Sequence, residues 1–129
     1  MEKIEMLKER FSQEPYARLF GFELEELAEG YARIKMELKP DLHNIFQLTH
    51  GGAIFSLIDE AFEMACNSHL EDAVAMSITV HYIRPAQGRF LTAFCREVAL
   101  TRKTGIYDIE VHNEDGELIA LARAISYRK

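Results

Sequence analysis

The segment that most constrains the fold is residues 50–69, "HGGAIFSLIDEAFEMACNSH". Its apolar residues recur at intervals of three and four, which predicts an amphipathic helix of about five turns. The wide apolar arc of this helix consists of Ile54, Phe55, Leu57, Ile58, Ala61, Phe62, Met64, Ala65 and Cys66. Because loops cannot cover an arc of this width, we expect a β-sheet to curl around the helix.

Strand-length segments with alternating apolar and polar residues lie on both sides of the helix. Residues 22–38 predict a hairpin that turns at Glu29-Gly30, and residues 73–129 predict four further strands, with a second hairpin turn at Asp115-Gly116. In the first of these four strands, one predicted face is formed by Val74, Met76, Ile78, Val80 and Tyr82. The alternation favours an antiparallel sheet with one apolar and one wet face.

The N-terminal segment is predicted to be helical. The spacing of Ile4, Leu7 and Phe11 predicts a helix over residues 2–12, and Pro15 can open a second short helix that Gly21 ends. The sequence therefore predicts a single α+β domain over residues 1–129. In this domain an antiparallel sheet wraps around one long central helix and follows a short N-terminal helical segment.

Composition excludes several classes of protein. The net charge of -6 argues against a nucleic-acid partner. No apolar run is long enough to span a membrane, and the charged start "MEKIEMLKERF" lacks the apolar core of a secretory signal, so we expect a cytoplasmic protein. Cys66 and Cys95 do not form a C-x-x-C motif, which predicts buried free thiols and gives no support for a zinc site.

The charge is unevenly distributed along the chain. Residues 1–72 carry seven basic and fifteen acidic side chains, whereas residues 73–129 carry eight basic and six acidic ones. An anionic ligand would therefore contact the second half, where the candidate contacts are Arg84, Arg102, Lys103 and Arg123. The alternative is that these four are exposed charges on strands and turns.

Two features of the predicted helix are unusual for a core helix. Gly51 and Gly52 follow His50 at its start, and their lack of side chains lets a carbonyl oxygen approach the free N–H groups of a helix N-terminus. The alternative explanation for the two glycines is a tight turn before the helix that needs positive φ. Asp59 lies at the border of the apolar arc. It is either a structural carboxylate that caps or pairs with a neighbour, or a functional one in a half-apolar cleft.

The spacing of these features restricts how they can act together. Gly51 and Asp59 are separated by eight residues, which corresponds to about 12 Å along a helix. A reacting carbonyl must lie within about 3 Å of both its hydrogen-bond donor and its nucleophile or base. If both residues are catalytic, the site must be shared by two chains. This hypothesis predicts a symmetric homodimer with two equivalent sites.

The sequence resembles the hotdog-fold acyl-CoA thioesterases of the PaaI-like, phenylacetate-pathway group over nearly its whole length. The resemblance is strongest in "HGGAIFSLIDEAFEMACNSH" and extends through "EPYARLFGFELEELAEGYARIKMEL" and "SITVHYIRPAQGRFLTAFCREVALTRKTGIYDIEV". It implies a sheet wrapped around one long helix, homodimers that often pair into a dimer of dimers, and hydrolysis of an acyl-CoA substrate without a metal or cofactor.

The resemblance also implies roles for individual residues. Asp59 matches the catalytic carboxylate, as nucleophile or as base for water, and Gly51 matches the N–H donor that polarises the thioester carbonyl. His50 and Asn44 match polar residues that support that carbonyl or the water, and Ser77 matches a hydroxyl that positions the water.

The loop before the helix departs from the family pattern. The family has a glycine-containing loop here, whereas this chain has the bulkier "NIFQLTH". We therefore expect Phe46 and Leu48 to line the acyl pocket. The full set of expected substrate contacts is Phe46, Leu48, Gly52, Phe55 and Phe62 at the acyl group and Arg84, Arg102 and Lys103 at the CoA phosphates.

The residue types fit thioester chemistry. A thiolate leaves readily because thiols have pKa values near 8.5, so a carboxylate and a polarised carbonyl suffice. The sequence contains no G-x-S-x-G motif. Two other functions stay open at this point. One is a hotdog hydratase or dehydratase that uses His50, and the other is a non-catalytic acyl-CoA binding protein.

Overall fold

The computed structural model describes residues 2–129. Its elements, in chain order, are α1 Lys3–Gln13, α2 Pro15–Phe20, β1 Glu23–Ala28, β2 Tyr31–Glu37, a 3₁₀ turn Pro40–Leu42, α3 Gly51–Cys66, β3 Ala73–Tyr82, β4 Phe90–Leu100, β5 Thr104–Asn113 and β6 Leu118–Arg128. The predicted order of two helices, two strands, one long helix and four strands is confirmed.

The six strands form one sheet in the order β1-β2-β4-β5-β6-β3, and all neighbouring strands are antiparallel. Both predicted hairpin turns are present. Gly30 and Gly116 adopt φ angles of 76° and 82°, a region that strongly favours glycine. Gly21 ends α2 in the same left-handed conformation, as its position in the sequence predicts.

The core lies between α3 and the concave face of the sheet. The helix buries Leu57, Ile58, Ala61 and Ala65 completely against that face. The sheet contributes fully buried side chains from its central strands, namely Ile34, Met36, Leu91, Ala93, Cys95, Val111 and Ala124. The expectation that a sheet curls around one helix is confirmed, and this packing fixes the direction of every side chain on α3.

The N-terminal helices cover the polar side of α3. Tyr16 of α2 and Ser56 of α3 are joined by a hydrogen bond of 2.7 Å between their hydroxyls. Ser56 and Glu60 are consequently buried, although they belong to the polar arc of the helix. Because Pro15 starts α2 directly after α1, the chain folds back across α3, and this long-range contact places a carboxyl group in the interior.

The single apolar face predicted for β3 is wrong. The register of β3 against β6 shifts between Ala75 and Ser77, so Met76 is an extra, bulged residue. A shift of one residue exchanges the two faces of a strand. Val74 therefore lies opposite Tyr127 on the outer face, whereas Ile78 lies opposite the buried Ala124.

Two simpler predictions concern the cysteines and the membrane. Cys66 and Cys95 are free and buried, as predicted, and burial raises the pKa of the Cys66 thiol to about 12. None of the helices described between residues 2 and 129 is both long and apolar enough to cross a membrane.

Candidate active site

The N-terminus of α3 presents a free hydrogen-bond donor. The Nδ1 atom of His50 accepts from the Gly52 N–H at 2.8 Å, and the His50 carbonyl accepts from Ala53 at 3.0 Å. The Gly51 N–H, in contrast, has no acceptor among residues 2–129. This N–H lies at the positive end of the helix dipole, where a carbonyl oxygen that gains negative charge is stabilised.

The two glycines are not required by the backbone. Positive φ angles occur at Gly21, Gly30, Gly88 and Gly116 but not at Gly51 or Gly52, so the interpretation as a positive-φ turn is wrong. A Cβ atom at Gly51 would lie 3.5 Å from the Tyr82 ring, which is an ordinary contact. A Cβ atom at Gly52 would lie 3.1 Å from His50 Nδ1 and would crowd the cap. Within this chain, nothing requires a glycine at position 51.

Gly51 opens into a cavity of about 360 Å³. The cavity is lined by Thr49, Gly51, Ile54, Tyr82, Ile83, Arg84, Pro85 and Ala86. Tyr82 donates its hydroxyl to the Gly51 carbonyl at 3.1 Å, which fixes this wall against the helix start. Arg84 brings a cation to the same cavity, and its guanidinium donates to the Leu118 carbonyl. The cavity therefore combines a free N–H donor with a positive charge.

Asp59 is half-buried and forms no hydrogen bond or ion pair with any residue that the structure describes. The interpretation of Asp59 as a structural carboxylate that caps or pairs is therefore wrong within this chain. Burial, and secondarily the negative charge of Glu14, raise the pKa of its carboxyl group. A carboxylate that is partly desolvated and unpaired is a stronger base than a solvated one.

Asp59 opens into a second, larger cavity of about 660 Å³ between α1, α3 and the start of β3. Its apolar lining includes Leu7, Phe11, Phe62, Met64 and Cys66. Sequence reasoning included Phe62 but missed the contribution of α1. Leu7 and Phe11 form an apolar face on an otherwise charged helix. Such a face indicates that the helix packs against another part of the protein.

Gly51 and Asp59 do not line the same cavity. Eight residues of α3 separate them, which corresponds to about 12 Å. One chain thus holds a free N–H donor at one end of the helix and an unpaired carboxylate further along it. No single substrate carbonyl can contact both groups of one chain.

The loop residues predicted to contact substrate lie apart from both cavities. The Oδ1 atom of Asn44 accepts from the backbone N–H groups of Phe46 and Leu48 at 2.8 and 3.2 Å, so its carbonyl is engaged in shaping the loop. Phe46 is 73% exposed. Neither Phe46 nor Leu48 lines the cavity of Asp59 or that of Gly51.

The other predicted contacts are scattered. Ser77 pairs with Ile125 on the face of the sheet turned away from α3, so one chain does not place it beside Asp59. Phe55 and Gly52 are exposed on α3 and line neither cavity. Within one chain, the expected cluster of polar residues around the carboxylate is therefore incomplete.

The predicted basic residues are also separated. Arg84 follows β3, whereas Arg102 and Lys103 lie in the turn between β4 and β5. The Lys103 carbonyl accepts a hydrogen bond from the backbone N–H of Arg128, at the end of β6. Lys103 lies 5.8 Å above the ring of Tyr127. Arg123 forms two hydrogen bonds with Asp108, at 2.8 and 3.0 Å. Arg84 alone among these four lines the cavity at the helix N-terminus.

Comparison with known proteins gives a consistent result. The chain matches the model of the family described as Thioesterase superfamily over residues 46–120. It is 36% identical over 119 residues to the acyl-coenzyme A thioesterase PaaI of Escherichia coli strain K12. The alignment covers 92% of this chain and 85% of that relative.

Solved structures show the same relationship. The PaaI protein from the phenylacetic acid degradation operon of E. coli matches with a TM-score of 0.94 and 33% identity, over 98% of this chain and 94% of that one. A hypothetical thioesterase protein from Streptococcus pneumoniae TIGR4, solved with coenzyme A, shares the fold with a TM-score of 0.80 and 21% identity, over 84% and 85% of the two chains. The chain adopts the hotdog fold and belongs to the thioesterase superfamily.

Proposed function

We propose that this protein hydrolyses the thioester of an acyl-CoA to the free acid and CoA. The observation that carries the proposal is the pair of unengaged groups on α3, the Gly51 N–H and the Asp59 carboxylate. The first can polarise a carbonyl, and the second can attack it or activate water. The E. coli relative named as an acyl-coenzyme A thioesterase supports the same reaction.

The active site is completed by a second copy of the chain. Two α3 helices packed antiparallel place Gly51 of one protomer near Asp59 of its partner, and a two-fold axis generates two equivalent sites. The edge strand β3 supports this assembly because it exposes Met76 at 60% and Tyr82 at 52%. An unpaired strand edge with large apolar side chains is a surface that another chain can cover.

A dimer of dimers is the next level of assembly that we propose. The outer face of the sheet exposes the large apolar side chains Val98, Leu121 and Tyr127. These residues lie on β4 and β6, away from both cavities. Association through this face would leave the shared sites at the β3 edge unchanged.

The reaction begins with the thioester carbonyl accepting a hydrogen bond from the Gly51 N–H. The Asp59 carboxylate of the partner protomer then either takes a proton from a water that attacks the carbonyl carbon or attacks that carbon itself. In both routes the C–S bond breaks and the sulfur leaves as CoA thiolate, which is a good leaving group. In the second route, water hydrolyses the resulting anhydride and regenerates the carboxylate.

The acyl and CoA ends of the substrate match the linings of the Asp59 and Gly51 cavities, respectively. The cavity beside Asp59 is lined by Leu7, Phe11, Phe62 and Met64, which suit an aryl or medium-chain acyl group. Arg84 lines the cavity beside Gly51 and is placed to contact an anionic group of CoA. The thioester would lie where the two cavities of different protomers meet.

The role of His50 argues against a hydratase or dehydratase. Its Nδ1 atom accepts the Gly52 N–H, which requires a neutral ring with its proton on Nε2. The remaining ring atom, Nε2, is therefore a donor and has no free lone pair for proton abstraction. This arrangement suits a helix cap better than a catalytic base.

An assay of CoA release tests the proposal. Purified protein is offered a panel of aryl- and medium-chain acyl-CoAs in the presence of a thiol-reactive dye. The proposal predicts that wild type releases CoA and that Asp59→Asn does not. Asp115→Asn, a matched change in an exposed turn, should retain release. Unchanged release in Asp59→Asn contradicts the site. Tight binding of acyl-CoAs without release favours a binding protein.

A further inference from the structure

Three carboxyl groups meet where the N-terminal segment crosses α3. Glu14 lies at the junction of α1 and α2, and Glu60 and Glu63 lie one turn apart on α3. One carboxylate oxygen from each residue lies within 4.8 Å of the other two. The cluster is near Asp59 but does not include it, and the proposed hydrolysis uses none of its three members.

Glu60 is the unusual member of this cluster. It is only 4% exposed, and its Oε2 atom is buried without a hydrogen-bond partner in the described part of the chain. The ion pairs found among residues 2–129 also leave out Glu14, Glu60 and Glu63. The described part of the chain therefore gives the cluster no positive partner. Burial and the neighbouring carboxyl groups raise the pKa of Glu60 to about 10, so a cation that binds there displaces a proton.

We propose that Glu14, Glu60 and Glu63 bind a divalent cation that prefers oxygen ligands, and that Ca²⁺ is the ion of best fit. The donor set consists of carboxylate oxygens, which suit hard cations rather than zinc or copper. The buried Glu60 supplies the innermost ligand, and Glu63 supplies an exposed one through which the ion can enter. Water molecules complete the coordination, as is usual for such ions.

The number and type of ligands favour Ca²⁺ over Mg²⁺. Ca²⁺ accepts several carboxylates in a flexible geometry, whereas Mg²⁺ demands a near-ideal octahedron and usually keeps most of its waters with one or two carboxylates. The three residues offer three carboxylate oxygens within 4.8 Å of one another. The sequence alone predicts no metal site, because an oxygen-only site assembled from two distant segments has no cysteine or histidine motif.

The ion would connect the N-terminal segment to the central helix. Glu14 is the single residue between α1 and α2, and α1 forms a wall of the cavity that contains Asp59. Binding would therefore stabilise this wall. The proposal does not depend on hydrolysis, because its readouts are metal binding and thermal stability.

The test uses the full-length protein after treatment with EDTA and removal of the chelator. Calorimetric titration with CaCl₂, MnCl₂ and MgCl₂ is expected to show one Ca²⁺ site per chain and weaker binding of Mg²⁺. Ca²⁺ at about 100 times its dissociation constant should raise the melting temperature by at least about 5 °C. An unchanged melting temperature and no binding heat with all three ions would overturn the proposal.

Variants locate the site. Glu60→Gln preserves the side-chain volume and should abolish both Ca²⁺ binding and the thermal shift, while Glu9→Gln, an exposed change on α1, should leave both unchanged. Glu63→Gln gives a second test at the exposed side of the cluster if Glu60→Gln does not fold. Binding by either cluster variant with wild-type affinity contradicts the assignment.

Discussion

Gly51 and Asp59 lie on the same helix but open into two different cavities. Each is the unengaged group of its own cavity: the Gly51 N–H lacks an acceptor, and the Asp59 carboxylate lacks a donor or cation in residues 2–129. The separation along α3 prevents one chain from using both on one substrate. The proposed reaction therefore needs a second copy of the chain to complete each site.

Replacing Asp59 should separate catalysis from stability. We expect Asp59→Asn to lower kcat by about 10²- to 10⁴-fold, because it removes the general base or nucleophile. The same change should leave the melting temperature equal or higher, since the half-buried carboxylate has no partner in the chain and its pKa is raised by burial. Kinetics and thermal denaturation of one preparation check both effects. A marked loss of stability would instead restore a structural role for Asp59.

Mixing two inactive variants should restore activity if the site is shared. Gly51→Val blocks the donor, and its backbone is compatible with a side chain because Gly51 does not adopt positive φ. After subunit exchange with Asp59→Asn, each heterodimer contains one intact and one doubly defective site. Random pairing of equal amounts should return about a quarter of the wild-type activity. Confirmed exchange without recovery would contradict the two-chain site.

The pH dependence of hydrolysis should reflect the environment of Asp59. Only the ionised carboxylate can act, so activity rises with pH as Asp59 loses its proton. Burial and Glu14 raise its pKa above the ordinary value of 3.8, which moves this acidic limb to higher pH. The charged groups that line the same cavity are Lys3, Arg10, Glu14, Glu63 and Asp72. A kcat profile measured with EDTA present checks the direction, and a limb below pH 3.8 would contradict it.

The two possible roles of His50 can be distinguished by a pair of substitutions. Asparagine is a good N-cap residue, whereas alanine cannot cap, so His50→Ala should cost about 1 kcal/mol of stability and His50→Asn much less. If His50 acts only by capping Gly52, His50→Asn should retain activity within about tenfold of wild type, given the sub-kilocalorie effect of a replaced cap. Denaturant titration and kinetics measure both quantities. Complete loss of activity in His50→Asn would indicate a direct role in the reaction.

The fold was largely predictable because its signals are local. Glycine at positions 30 and 116 predicts the two hairpins, and the helical spacing of residues 50–69 predicts α3 to within a few residues. The bulge at Met76 was not predictable, since strand alternation alone does not show an inserted residue. It reverses the face of Val74 relative to Ile78 and changes which side chains the edge strand presents.

The candidate site was predictable only in part. Gly51 and Asp59 were identified because a helix that begins with two glycines and carries a border carboxylate conflicts with ordinary core packing. The contribution of α1 to the Asp59 cavity and the contact of Glu14 with Glu60 depend on how distant segments pack. No periodicity in the sequence encodes that packing. The positions of Phe46 and Leu48 likewise depend on the Asn44 hydrogen bonds of an irregular loop.

Arg84 provides a test of which basic residue contacts CoA. It lines the cavity beside Gly51, whereas Arg102 and Lys103 lie in the turn between β4 and β5 and line neither cavity. Because a charge-assisted hydrogen bond contributes about 1.5–3 kcal/mol, Arg84→Ala should raise KM for acyl-CoA by about tenfold or more. The variant should hydrolyse the corresponding N-acetylcysteamine thioester, which has no phosphates, as well as wild type does.

Arg102→Ala and Lys103→Ala serve as matched controls for this assignment. Both remove an exposed positive charge of the same half of the chain, so a general electrostatic effect on an anionic substrate would appear in all three variants. A specific contact would appear in Arg84→Ala alone and would persist at high salt, where long-range attraction is screened. Equal increases in KM for the three variants, or an equal loss with the truncated thioester, would contradict a direct contact of Arg84 with CoA.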